Sequence, residues 1–164
     1  MNALAFLSLT ESAPAHSPMP DAGTAAGFAD RSLIRKLELH GQAAGPLGQA
    51  THADDGAWWC PVTPTRTLVL GGTTAAPAGA LDVTCTHAAL ELRGAHSDEL
   101  LARFCALDVR PAVMGVGAFR PGSVARTPGY VLRTAADTLL LLVGWALGEY
   151  LWQVVADAAE ALYA

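Results

Sequence analysis

Residues 138–147, TLLLLVGWAL, limit the possible folds of this chain more than any other stretch. The run is about half the ~20 apolar residues that a membrane span needs, and Glu149 follows it. An apolar run of this length without alternation fits a strand buried on both faces. The residues after it change period. Leu147, Tyr150, Leu151, Val154, Val155, Ala158 and Leu162 fall on one helical stripe, with Glu149, Gln153, Asp157 and Glu160 outside it. The sequence therefore predicts a strand over 138–143 and a helix over about 146–162.

Upstream, AALELR at 88–93 alternates as a strand and stops at Gly94. Ser97 then precedes Asp98 and Glu99, an N-cap followed by acids in the first turn. Leu100, Leu101, Phe104 and Leu107 have helical spacing, so residues 97–106 are expected to be a helix. Residues 110–122 carry two prolines and three glycines and read as a loop. Residues 123–126 and 130–133 read as strand pieces separated by Pro128-Gly129. The order from residue 80 onward is strand, helix, strand, strand, helix. Such a βαββα order suits a ferredoxin-like unit with an antiparallel sheet, so the fold class is α+β.

In the first half, residues 33–40 alternate with Leu37 and Leu39 on one face, and residues 67–70 form a second strand candidate. A short, weak helix over 45–52 is conceivable despite Pro46 and its flanking glycines. Residues 1–27 are rich in Ala, Pro, Ser and Gly and are expected to be an irregular arm. This arm lacks the Lys/Arg start of a signal peptide.

Two segments echo each other. FADRSLIRKLELHG (28–41) and ALDVTCTHAALELRG (80–94) each carry an Asp with a hydroxyl residue two positions on, Asp30/Ser32 and Asp82/Thr84. Each ends in Leu-Glu-Leu-x-Gly. The Asp and the hydroxyl can satisfy backbone amides before the strand begins, and the Gly permits a turn with positive φ. The echo implies two pseudo-repeated halves, 28–79 and 80–164, in one domain.

Composition narrows the function. Of 164 residues, 52% are hydrophobic and only 15% charged, so some surface is expected to lie against a partner. A net charge of −5 with no basic stripe argues against nucleic acid. The three cysteines, Cys60, Cys85 and Cys105, make no CxxC pair and read as free thiols of a reducing compartment. Cys105 has no His near it in sequence and reads as structural. His52, Asp54, Asp55 and Cys60 lack paired metal-ligand spacing. Gly115 and Gly117 lack the third glycine of a dinucleotide fingerprint. Arg126, at a strand start, is expected to pair with a carboxylate such as Asp108 or Asp137, or to face a partner. With Thr127, Tyr150 and Trp152 it makes up the expected partner interface. Trp152 is placed there because it lies outside the stripe and tryptophan is enriched at interface hot spots. No catalytic, cofactor-binding or metal-binding residue is assigned.

Residues 81–159 resemble a family pattern: DVT…ALELRG, then Cys105-Ala-Leu-Asp-Val-Arg-Pro111, Gly122-Ser-Val-Ala-Arg-Thr127, and a final helix with Tyr150-Leu151-Trp152. The pattern is similar to the gamma subunit of heterotetrameric sarcosine oxidase, in the superfamily of the glycine-cleavage T-protein and other folate-binding aminomethyltransferases. Departures are Pro128-Gly129 after Arg-Thr, and Gly144-Trp145-Ala146-Leu147 where the family has Arg-Ser-Phe-Ala. The resemblance implies a T-protein-like domain acting as a non-catalytic subunit. Its complex would oxidatively demethylate a small N-methyl amine and pass the one-carbon unit to tetrahydrofolate. The implied cofactors are FAD, FMN, NAD and tetrahydrofolate, all on partner subunits and none on this chain. The implied partners are flavoprotein alpha and beta subunits and a small zinc-containing delta subunit, in the cytoplasm. A free-standing folate-binding aminomethyltransferase-like protein and a degenerate protein-binding scaffold are the alternatives.

Overall fold

The computed structural model describes residues 16–20, 27–41 and 43–163. Most of the expected N-terminal arm, 1–15 and 21–26, lies outside the described residues. The fold is α+β with two antiparallel five-stranded sheets and a long C-terminal helix. The strands are β1 (Phe28–Asp30), β2 (Lys36–His40), β3 (Thr51–His52), β4 (Trp58–Thr63), β5 (Arg66–Leu70), β6 (Leu81–Asp82), β7 (His87–Arg93), β8 (Phe119–Val124), β9 (Thr127–Ala135) and β10 (Thr138–Gly144). The helices are α1 (Ser97–Ala102) and α2 (Gly148–Tyr163), the latter entered through a 3-10 turn, Trp145–Leu147.

The two sheets share one topology. One runs β6-β2-β5-β4-β3 and the other β1-β7-β10-β9-β8. The sequence echo marks their crossing. Asp30 pairs with Leu90 and Ala29 with Glu91; Asp82 pairs with Leu37 and Leu81 with Glu38. The short strand that opens each half thus joins the other half's sheet. Asp30 Oδ1 accepts the Ser32 amide at 2.7 Å, and Asp82 Oδ1 accepts the Thr84 amide at 2.9 Å. Ser32 Oγ then accepts the Ala89 amide at 3.1 Å, and Thr84 Oγ1 accepts the Lys36 amide at 3.1 Å. These hydroxyls satisfy a donor at the start of the opposite half's main strand, where the sheet ladder does not reach. Gly41 (φ +122°) and Gly94 (φ +100°) make the equivalent turns that follow.

Leu68, Leu70, Cys60, Ala89, Phe119, Leu132, Leu140 and Leu142 fill the space between the sheets. The outer face of the second sheet presents Leu90, Leu92, Val131, Leu139 and Leu141 to α1 and α2. Its counterpart on the first sheet, built on Leu37, Val69 and Trp59, has no helix over it among the described residues. The halves are therefore repeated in their sheets, with α1 and α2 belonging to the second alone. β10 is buried from Leu139 to Val143, within the 138–143 stretch expected to be a buried strand. No helix among the described residues is long and apolar enough to cross a membrane.

Four local expectations change. Ser97 is the buried first residue of α1, and His96 occupies the cap without a side-chain hydrogen bond to the helix amides. The helix ends at Ala102 instead of 106. Residues 45–52 form no helix; they run in turns into β3. Pro128-Gly129 lies inside β9 and the chain turns at Ala125-Arg126 instead, so β8 and β9 are separate paired strands and three strands follow α1 where two were expected. β10 pairs with β9 only as far as Gly129, so the missing N–H of Pro128 falls past the neighbouring ladder. At Gly129 a Cβ would stand 2.5 Å from the Leu142 carbonyl oxygen, so only glycine fits.

Candidate functional site

A groove of about 490 Å³ lies where the residues after α1, the β8–β9 turn and the first turns of α2 meet. Arg103, Phe104 and Cys105 line one side, Ser123, Ala125 and Arg126 a second, and Tyr150 and Val154 the third. Cys105 bridges to Val124, and the Ala125 amide donates to the Phe104 carbonyl at 2.9 Å, so the chain after α1 is fixed to the turn.

The turn itself is strained. Val124 and Thr127 pair across it, leaving Ala125 (φ 49°) and Arg126 (φ 62°) as a two-residue hairpin loop, both in the left-handed region. Such loops ordinarily carry Asn-Gly or similar residues, because a Cβ is disfavoured there. Three bonds hold this one. Thr127 Oγ1 donates to the Val124 carbonyl at 2.9 Å, the Phe104 carbonyl takes the Ala125 amide, and the Tyr150 hydroxyl donates to the Ala125 carbonyl at 3.0 Å. Strain of this kind, fixed from three sides, gathers at functional surfaces. Here it sets Arg126 in the lining of the groove together with Tyr150, which is 45% exposed.

The groove's charge is distinctive. The ten basic side chains of the protein are Lys36 and nine arginines. Arg31, Arg66, Arg93, Arg110 and Arg133 pair with carboxylates. Lys36, Arg35 and Arg120 donate to backbone carbonyls. Among the described residues only Arg103 and Arg126 have no side-chain partner, and both line this groove. The carboxylates expected near Arg126 are engaged elsewhere: Asp108 binds Arg110, and Asp137 accepts the Thr138 hydroxyl.

Three of the four residues expected at a partner surface thus meet here: Arg126, Thr127 as the turn's brace, and Tyr150. Trp152 does not. It is 5% exposed and packs edge-on against Phe28, ring centres 4.9 Å apart, within the core under α2. Its offset from the stripe is taken up by β1, which no helical pattern could reveal. Arg103 belongs to no motif or basic cluster in the sequence that would mark it as a site residue. The helix stops one residue short of Arg103, and Glu99 turns to His96 at 3.3 Å.

The other chemical candidates are engaged within the fold. Burial pushes the Cys60 thiol up to about 12 and raises Cys105, so neither is poised as a nucleophile. Asp55 is held down at about 2, first by the Thr74 hydroxyl and then by the Ala57 amide, in a loop that it organises. His52 stacks on Trp58 at 4.5 Å. Among the described residues no three His, Cys, Asp or Glu side chains gather as metal ligands. A second hollow of about 510 Å³ is lined by His87, Tyr130 and Leu147 with prolines and glycines. Its apolar walls lower the basicity of His87.

A solved structure with this architecture is the heterotetrameric sarcosine oxidase from Corynebacterium sp. U-96 in complex with pyrrole 2-carboxylate. One of its chains matches with a TM-score of 0.77 at 17% identity, over 92% of this chain and 97% of that one. At that identity the likeness establishes the fold. No curated protein matches the sequence. A family model described as "Sarcosine oxidase, gamma subunit family" matches residues 71–161, which span the second sheet's main strands, both helices and the whole groove. The chain belongs to the sarcosine oxidase gamma subunit family.

Proposed function

We propose that this chain is a non-catalytic accessory subunit of a heteromeric sarcosine-oxidase-like complex. The complex would oxidatively demethylate a small N-methyl amine and transfer the one-carbon unit to tetrahydrofolate. The family match over residues 71–161 carries the reading. The thiols, raised by burial, and the engagement of the His52–Asp55 loop in its own hydrogen bonds support a role without catalysis. FAD, FMN, NAD and tetrahydrofolate would sit on partner subunits. These are flavoprotein alpha and beta chains and a small zinc-containing delta chain, assembled in the cytoplasm. Residues 28–164 would act as a single T-protein-like domain, with Arg126, Thr127 and Tyr150 at its partner surface. The test is co-expression of the tagged chain with the flavoprotein subunits of its host's sarcosine oxidase. Capture of flavin absorbance in stoichiometric amount is expected. A chain that elutes alone as a monomer contradicts the reading.

A further inference from the structure

The groove between α1, the β8–β9 turn and α2 reads one kind of partner chemistry. We infer that it is the docking site for an acidic segment of a flavoprotein partner subunit, with carboxylates seated on Arg103 and Arg126 and an apolar residue against Tyr150 and Phe104. The inference rests on the reading of the chain as a subunit of that complex, and charge complementarity carries it.

A protein of net charge −5 with ten basic residues gives eight of them partners of its own. The two it leaves without partners, among the described residues, line one groove from adjoining segments. Arginine is suited to this task because its planar fork engages carboxylates bidentately. Arginine and tyrosine are also the residue types over-represented among binding hot spots. The floor favours a protein segment over a free small acid: Phe104, Cys105, Ala125 and Val154 offer apolar contact that a bare carboxylate does not use. The left-handed backbone at Ala125 and Arg126, braced by Tyr150 and Phe104, fixes the main chain from which one of the two arginine side chains extends before binding. Preorganisation of that kind lowers the ordering cost of association.

The experiment captures the co-expressed assembly through a tag on this chain and measures flavin retained per chain, at low and high salt. Arg103→Ala and Arg126→Ala are each expected to weaken association about tenfold, and the double reversal R103E/R126E by more than about a hundredfold. Both side chains are exposed, so the thermal midpoint of the isolated chain should hold. Arg110→Glu, at an exposed arginine outside the groove, should leave capture unchanged. A photo-crosslinking residue at position 150 should join a partner peptide containing Asp or Glu. Wild-type capture with equal capture by R103E/R126E, or a crosslinked peptide without acidic residues, overturns the groove assignment and leaves the subunit reading standing. No capture by the wild type overturns both.

Discussion

The Tyr150 hydroxyl donates to the Ala125 carbonyl across 3.0 Å, tying the first turn of α2 to a hairpin loop whose two residues are both left-handed. The left-handed backbone of that loop costs stability at the place where the groove forms. Left-handed backbone costs a non-glycine residue on the order of 1 kcal/mol. Arg126→Gly should therefore raise the stability of the isolated chain by about 1 kcal/mol, measured by urea unfolding, while weakening capture of the flavoprotein. Stability and association moving in opposite directions would mark the strain as serving the interface.

Tyr150→Phe removes the hydroxyl and keeps the ring. The bond is part-buried and neutral, so the loss should be about 1 kcal/mol. Hydrogen exchange at the Ala125 and Arg126 amides should quicken, because the brace of the turn is gone. Exchange unchanged from wild type would show that Thr127 and Phe104 hold the turn without it.

Arg133 is the least replaceable charge in the protein. It is 1% exposed and donates to Met114 O at 2.6 Å, Ala136 O at 2.8 Å, Asp98 Oδ1 at 2.6 Å and the Val109 carbonyl. It fastens the connection after α1, residues 109–114, to the start of that helix and to the β9–β10 turn. Arg133→Met leaves Asp98 and three carbonyls without their donor, and should cost about 3–5 kcal/mol in chemical denaturation. A loss below about 1 kcal/mol would show that water replaces it.

Lys36 is fully buried, with Nζ donating to Ser32 O at 2.6 Å, Thr84 O at 3.0 Å and Ile34 O at 3.2 Å. Burial lowers it from the ordinary 10.5 to about 8, against the opposing pull of Cys85, Asp30 and Asp82. The sign follows from proton uptake. Between the two values the unfolded chain holds a proton that the folded chain has released, so stability rises with pH in that window. Wild type should gain up to about 3 kcal/mol relative to Lys36→Met between pH 8 and 10.5 and stay parallel to it below pH 7. A flat difference between the two proteins would contradict the assignment.

Ser32 and Thr84 do the same work in unlike surroundings. Ser32 is fully buried and Thr84 is not. Ser32→Ala strands the Ala89 amide away from water and should cost about 1–3 kcal/mol, whereas Thr84→Val should cost less, since water reaches its site. Thermal midpoints of the two variants test the order.

The local elements were legible because local forces make them. Asp30 and Asp82 organise their own neighbours, Gly41 and Gly94 turn where positive φ is needed, and β10 and α2 follow from period and apolarity. The exchange of β1 and β6 between sheets was not legible, since it is set by pairing across more than forty residues. The same holds for Trp152, whose partner Phe28 lies far up the chain. Pro128-Gly129 misled because a break signal is also what a strand needs where its neighbour ends and a carbonyl comes close. Of the groove, Arg126, Thr127 and Tyr150 could be named from sequence. Arg103 could not, because no motif marks it and only the packing of the segment after α1 against the β8–β9 turn brings it to the groove.

The central claim is that this chain joins a flavoprotein assembly as an accessory subunit. The most direct measurement is flavin content and mass of the particle captured on the tagged chain from co-expression with the flavoprotein subunits. The account requires one heteromeric particle carrying flavin, dissolved by R103E/R126E without loss of the chain's own fold. A flavin-free monomer from the wild-type co-expression would contradict it.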